Sequence, residues 1–224
     1  MRIASIMMLL MIFSSLFLNQ LIGQNSYMTD IDGNKYLTVR IGNQEWMAEN
    51  LRVTHYRNGD TIALAEDAGE WEVLRTGAFS WYNNDEQGHK TLYGALYNWY
   101  ALDDPRGLCP EGWRVPAEED WNELIAFLGR ESVAGGRMKE AGTAHWNSPN
   151  THANNESGFT ALPGGYRFSN GKFDYLGQVA RWWTATSMDG DNAWYRNIGF
   201  FNISISTHWV RKEMGLSVRC LKSD

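Results

Sequence analysis

The sequence predicts an α+β domain in which helices come early, antiparallel strands come late, and one disulfide joins the two halves. Three observations carry this. An amphipathic helical pattern follows Pro116, a hairpin signal at Asn170-Gly171 opens a run of short strands, and Cys109 and Cys220 are the only cysteines.

Near the start, Arg2 is followed by an apolar run from Ile3 to Leu18, leaving through the polar stretch Asn19–Gln24. A basic start, an uncharged core and a polar exit read as a secretory signal peptide over residues 1–23. The run falls short of the ~20 residues a spanning helix needs, so no membrane span is expected after its removal. The expected location is therefore secreted, periplasmic or on the outer cell surface, with one domain over residues 24–224. In an exported chain an even cysteine count marks a disulfide, so Cys109 and Cys220 are expected to pair. The loop they would close is long, and the chain-entropy model gives about 4–5 kcal/mol of stabilisation. The net charge of −6 argues against the clustered Lys and Arg that a nucleic-acid or anionic-membrane surface would require.

Asp32-Gly33-Asn34-Lys35 is a turn, and Tyr36–Ile41 reads as a strand. Gly42-Asn43 supplies a two-residue hairpin loop returning through Gln44–Met47. Residues 57–88 are weakly periodic and read as an irregular excursion with short strands. Tyr93, Leu96, Tyr97 and Tyr100 fall at helical spacing and predict a short buried helix. After Pro116, Trp121, Leu124, Ile125 and Leu128 form one apolar stripe. Glu118, Glu119 and Asp120 place negative charge in the first turn, where the helix dipole favours it, and Gly129 supplies the stop. In the hairpin, Asn170-Gly171 as a type I′ loop sets Phe168 opposite Phe173, Tyr166 opposite Tyr175, and Arg167 opposite Asp174. Further strands are expected at Arg181–Thr186, Ala193–Ile198, Asn202–Ser206 and Leu216–Leu221, with a turn at Asp189–Asn192.

Several phrases occur in the order seen in one family. They are Gln44-Glu45-Trp46-Met47-Ala48-Glu49-Asn50-Leu51, Tyr93–Trp99, Cys109-Pro110-Glu111-Gly112-Trp113-Arg114-Val115-Pro116, Ser157–Arg167, Trp182–Thr186 and Ser217-Val218-Arg219-Cys220. The chain resembles the Fibrobacter succinogenes major paralogous domain, abundant in exported proteins of that genus and of the Bacteroidetes. The resemblance implies an exported or surface domain without an assigned activity. The Cys109 and Cys220 phrases are also similar to C-type lectin-like domains, whose wider relatives include the formylglycine-generating sulfatase-modifying enzymes. That similarity implies a single C-type-lectin-like domain with antiparallel sheets and one or two packed helices.

Catalytic candidates are sparse. His55, His89, His145, His152 and His208 show no zinc spacing, and neither a nucleophile elbow nor a phosphate-binding glycine loop is present. The formylglycine-generating enzymes rely on active-site cysteines, and both cysteines here are assigned to structure. Cofactors are expected to be none. Calcium, which C-type lectins often use, is considered and not favoured: Asp30-Ile31-Asp32-Gly33-Asn34 begins like an EF-hand loop, but its glycine is misplaced and Ile41 stands where the closing Glu belongs. Asp189, Asp191 and Asn192 likewise read as a turn without metal.

Of the 11 tryptophans, Trp46, Trp113, Trp121 and Trp182 are assigned to the core. Trp146, Trp194 and Trp209 have polar neighbours, and the segment Asn147–Gly158 reads as a variable contact surface. The expected ligand surface combines Trp146, Asn147, Asp191, Asn192 and Trp194. The reading is a non-catalytic binding module for glycan or for a cell-envelope or surface protein. The alternatives are an enzyme, of the formylglycine-generating type or a hydrolase, and a purely structural envelope domain.

Overall fold

The strand Lys35–Ile41 (β2) and the turn at Gly42-Asn43 return the chain through Gln44–Met47 (β3), with Ile41 facing Gln44 as the sequence predicts. The computed structural model describes residues 26–223, so the expected signal peptide lies outside the described residues. Ser26–Thr29 (β1) pairs with the other side of β2. The last strand, Leu221–Lys222 (β13), inserts between β3 and Trp113–Arg114 (β7), giving the order β1-β2-β3-β13-β7. Cys109 and Cys220 precede β7 and β13, neighbours at one side of this sheet, and are disulfide-bonded, with Cα atoms 6.0 Å apart.

Between these strands the chain is less regular. Ala63–Leu64 (β4), Ala78–Ser80 (β5) and Leu96–Tyr97 (β6) form a small sheet in which β4 and β5 run parallel. The excursion over residues 57–88 also holds a helix, Ala68–Val73 (α1), capped by the Asp67 side chain. The helix expected through Tyr93 and Tyr100 is not formed. Glu86–Tyr93 (α2) stops at Gly94, β6 follows, and a separate turn covers Trp99–Leu102 (α3). Its tyrosines serve different partners: the buried Tyr97 hydroxyl, for example, donates to the Val53 carbonyl at 2.7 Å.

The amphipathic helix spans Glu118–Phe127 (α4), and its stripe of Trp121, Leu124, Ile125 and Leu128 is buried. Asp120 reaches back to accept the Ala117 N–H at 2.7 Å, one half of a capping box. A second helix, Glu131–Met138 (α5), escapes sequence reading because Gly135 and Gly136 weaken its pattern. The glycines are there for close approach: a Cβ on Gly135 would sit 2.4 Å from the Ser204 carbonyl oxygen.

The later half is antiparallel, as expected. Val179–Ser187 (β10), Asn192–Gly199 (β11) and Ile205–Arg211 (β12) form one sheet, with β12 starting three residues later than the expected Asn202. Gly164–Arg167 (β8) and Phe173–Leu176 (β9) form the hairpin, one residue out of the expected register. Arg167 faces Phe173 and Tyr166 faces Asp174. Phe168 N–H donates to Lys172 O and Gly171 N–H to Phe168 O, so the loop has three residues and Gly171, at φ 80°, forms a bulge. The expected Arg167–Asp174 pair is absent because Arg167 points inward. It is fully buried, donates to the carbonyls of Ala65, Glu66, Asp67 and Gly171, and lies against the rings of Trp71 and Phe173. Of the expected strand Leu216–Leu221, only the end is regular; Leu216 and Ser217 make isolated bridges to Tyr97 and Trp182.

Among the described residues three buried hydrophobic clusters result. In one, Trp46, Trp121, Phe159 and Trp182 touch in sequence, with ring centroids 4.8 to 5.9 Å apart. Arg219 enters this cluster 4.1 Å above the Phe159 ring and donates to Asn50 Oδ1 and to the carbonyls of Phe159 and Thr160. Burial pulls its pKa down to about 9. Asn50 Oδ1 also accepts from the Trp182 indole at 2.9 Å, so residues from four of the motif phrases close one knot.

Candidate functional site

The residues nominated from sequence do not form one surface. Trp146 is buried, its indole donating to Ala161 O at 2.9 Å and its ring covered by the Lys139 ammonium at 5.6 Å. The segment it begins is pinned to the body: Asn147 N–H donates to Gly177 O, Thr151 N–H to Phe200 O, and Lys139 Nζ to Thr151 O. These contacts hold it at the Val179/Gly199 end of the β10–β11 pair. Asp189–Asn192 connects the other end, and β10 spans about 26 Å at roughly 3.3 Å per residue. Trp146 and Asn147 are thus separated from Asp191, Asn192 and Trp194. In the turn, Asp189 Oδ1 accepts the N–H groups of Asp191 and Asn192, and the Asn192 amide also donates to this carboxylate. Those hydrogen bonds hold the Asp189 carboxyl below its usual range. Asp191 is exposed, Trp194 is half-buried, and its strand partner Trp209 is exposed.

The more extensive concave surface lies along the seam between the β2–β3 turn and α4. Three adjoining cavities of about 290, 330 and 290 Å³ share lining residues along it. The first reaches Arg114 and Lys222, the second is bounded by Gln44, Glu123 and Phe127, and the third continues to Arg137 and Glu156. Phe127 is 63% exposed although it ends a buried-stripe helix. Its ring rests on Gly42, where an added Cβ would lie 2.9 Å from Phe127 Cδ2. Gly42 has φ 61°, so the tight turn and the ring contact both require glycine there.

Most charges along the seam are paired. Arg114 Nη2 donates to Asp120 Oδ1 at 2.7 Å, Lys222 to Glu45 at 2.8 Å, and Arg137 Nε lies 2.9 Å from Glu156. Burial alone would raise the Asp120 carboxyl, but Arg114 and the Ala117 N–H hold it below its usual value. Glu45, likewise partly buried, is held low by Lys222, Thr38 and the charge of Arg40. Among the described residues Arg40, Asn43 and Glu123 engage no side-chain hydrogen bond or ion pair. These three line the first cavity, and Asn43 and Glu123 continue beside Phe127 in the second. The set offers a guanidinium, an amide and a carboxylate around an exposed ring, which suits hydrogen bonding and stacking.

The histidines are held apart from this seam. His145 Nδ1 lies 2.9 Å from both Glu140 carboxylate oxygens, and His55 Nδ1 lies 2.5 Å from Asp32. Among the described residues no group of three or more His, Cys, Asp or Glu is placed to hold a metal ion. Asp30 accepts from the Asn34 N–H, the Asn34 amide and the Tyr36 hydroxyl, an internally satisfied turn. No helix among the described residues is long and apolar enough to cross a membrane.

Sequence reading passed over Phe127, although one signal was available: it is a large aromatic beside, not on, the apolar stripe of its helix. Arg40, Asn43, Glu123 and Lys222 carry no local pattern and meet only through the fold. No curated protein and no solved structure matches the chain. The family described as the Fibrobacter succinogenes major domain matches residues 39–222, from β2 to β13 and across all six motif phrases. With the knot of Asn50, Phe159, Trp182 and Arg219 built from those phrases, the chain belongs to the Fibrobacter succinogenes major domain family.

Proposed function

We propose that this protein is a non-catalytic module that binds glycan along the seam between the β2–β3 turn and α4. The observation that carries the reading is Phe127: a 63% exposed ring at the end of a helix, backed by Gly42, sharing one cavity with the unbonded Asn43 and Glu123 and the next with the unbonded Arg40. An exposed aromatic face suits the apolar face of a sugar ring, while the three polar groups suit its hydroxyls. Catalysis is the weaker reading. Glycoside hydrolysis needs a carboxyl raised towards neutrality, whereas Asp120 and Glu45 in the seam are both held low, and Glu118, which burial raises, lies outside the seam's lining and is bonded to Arg196. The disulfide suits an oxidising compartment, consistent with a secreted, periplasmic or outer-surface protein. The resemblance to C-type lectin-like domains points the same way, without calcium.

Retention of the purified protein on polysaccharide-containing native gels tests this reading. The wild type should be retarded by at least one polysaccharide, and Phe127→Ala should abolish the retardation with little change in melting temperature. Equal retardation of both proteins would overturn the assignment of the site. Reducing ends released during incubation would overturn the non-catalytic reading.

A second reading, docking of a partner protein, is favoured by the exposed Trp209 beside Trp194 on the outer strand β12. Trp209→Ala would then weaken capture of that partner and leave polysaccharide retardation unchanged.

A further inference from the structure

We infer that the seam grips an extended, uncharged glycan along its length, over at least three units, not by a chain end; this rests on the glycan reading above. The geometry points to a chain because the ring of Phe127 borders two cavities of about 330 and 290 Å³, and a third of about 290 Å³ adjoins the first of these. A single sugar beside the ring fills one compartment and leaves the others to solvent. From Asp120 to Leu128 the helix flank of the seam runs about 12 Å at 1.5 Å per residue, longer than one hexose ring. The two extremes are bounded by exposed ion pairs, Lys222 with Glu45 and Arg137 with Glu156, not by a wall of buried side chains. A binding site for a chain end needs such a wall to stop the next unit.

Charge decides against an acidic polymer. The three ion pairs of the seam are balanced, and the remaining Arg40 and Glu123 are one of each sign. The protein as a whole carries −6, which repels a polyanion at long range. A guanidinium, an amide and a carboxylate lining one cavity instead match hydroxyl groups, which donate and accept.

Calorimetric titration with ladders of neutral α-1,4- and β-1,4-linked oligosaccharides, from one to six units, tests the inference. For the ladder that binds, affinity should rise roughly tenfold or more between one and three units and then level off. Borohydride reduction of the terminal unit in the longest member should leave affinity unchanged. Phe127→Ala should flatten the length dependence, and Trp209→Ala should not. A monosaccharide binding as tightly as the hexamer would overturn the extended-chain inference and leave the glycan reading standing, as would loss of affinity on end reduction. Tighter binding of a uronic-acid polymer than of the neutral ladder would overturn the claim of an uncharged ligand. Absence of binding by every oligosaccharide and polysaccharide would retire the glycan reading, and this inference with it.

Discussion

Replacing Gly42 with alanine separates the backbone role of this residue from its support of the Phe127 ring. At φ 61° alanine sits in the left-handed region, which costs about 1–2 kcal/mol for a residue with a Cβ. Alanine also restricts the unfolded chain, which offsets about 0.4–1 kcal/mol of that. The net backbone cost is about 1 kcal/mol, or roughly 2–4 °C in melting temperature for a domain of this size. The new Cβ also meets Phe127 Cδ2 at 2.9 Å and Cγ at 3.2 Å. Turning the ring off its rotamer adds about 0.5–1.5 kcal/mol. Urea unfolding of Gly42→Ala in the wild-type and Phe127→Ala backgrounds isolates the second contribution as a coupling energy. The expected result is a smaller cost of Gly42→Ala when the ring is absent, and weaker polysaccharide retardation when it is present. An identical cost in both backgrounds would show that the ring does not rest on Gly42, and the rigid platform would have to be abandoned.

Three further outcomes follow from the described contacts. Free-thiol titration of the native protein should find no thiol, and replacing Cys109 and Cys220 should cost about 2–5 kcal/mol in chemical unfolding, because the bond closes a separation of 111 residues. Trp121→Ala should cost about 3–5 kcal/mol by the same measurement, since its side chain is fully buried against Trp46, Phe159 and Trp182. The Asp120 carboxyl is held low in the folded protein, so its contribution is complete above the unfolded carboxyl pKa and is lost as pH falls through the folded value. Asp120→Asn should therefore lower stability at neutral pH and flatten its fall below about pH 4, followed by thermal unfolding across that range.

The features legible in the sequence were those in which local pattern and tertiary role agree. The β2–β3 hairpin kept its register because Gly42-Asn43 fits a two-residue loop and the flanking residues alternate. Helix α4 appeared because its apolar stripe is also its buried face. At Asn170-Gly171 the same turn logic failed by one residue. There the loop makes a bulge at Gly171, and Arg167 gains four carbonyl acceptors inside instead of one carboxylate outside. Trp146 was hidden by its polar neighbours, whose amides and carbonyls bond inward to Gly177, Phe200 and Lys139. Composition reports what a side chain can bond, not whether its partner is water or backbone. The seam was illegible for a different reason. Its residues come from β2, the hairpin turn, α4, α5 and β13, which only the folded topology brings together.

The buried arginines explain why a chain so recognisable by its motifs reveals so little of its function through them. Arg219, from the closing motif, bonds Asn50 of an early one and the carbonyls of Phe159 and Thr160 from a third. Arg167 likewise ties β8 to the backbone before α1. Each guanidinium satisfies several carbonyls at fixed angles while its flat face lies on an aromatic ring, a combination that a lysine ammonium cannot reproduce. Burial pulls these cations down, to about 9 for Arg219 and about 10 for Arg167, so both stay charged at neutral pH and continue to donate. These motif side chains are therefore occupied by the fold and buried away from any ligand. In the proposed site the positions open to a ligand are Phe127 and the unbonded Arg40, Asn43 and Glu123. Of these, Phe127, Arg40 and Glu123 can each change without disturbing the knot, whereas Asn43 shares its turn with Gly42. A fold held by its interior in this way can keep one scaffold while the residues around Phe127 vary, and under the proposed glycan reading they would set which glycan it takes.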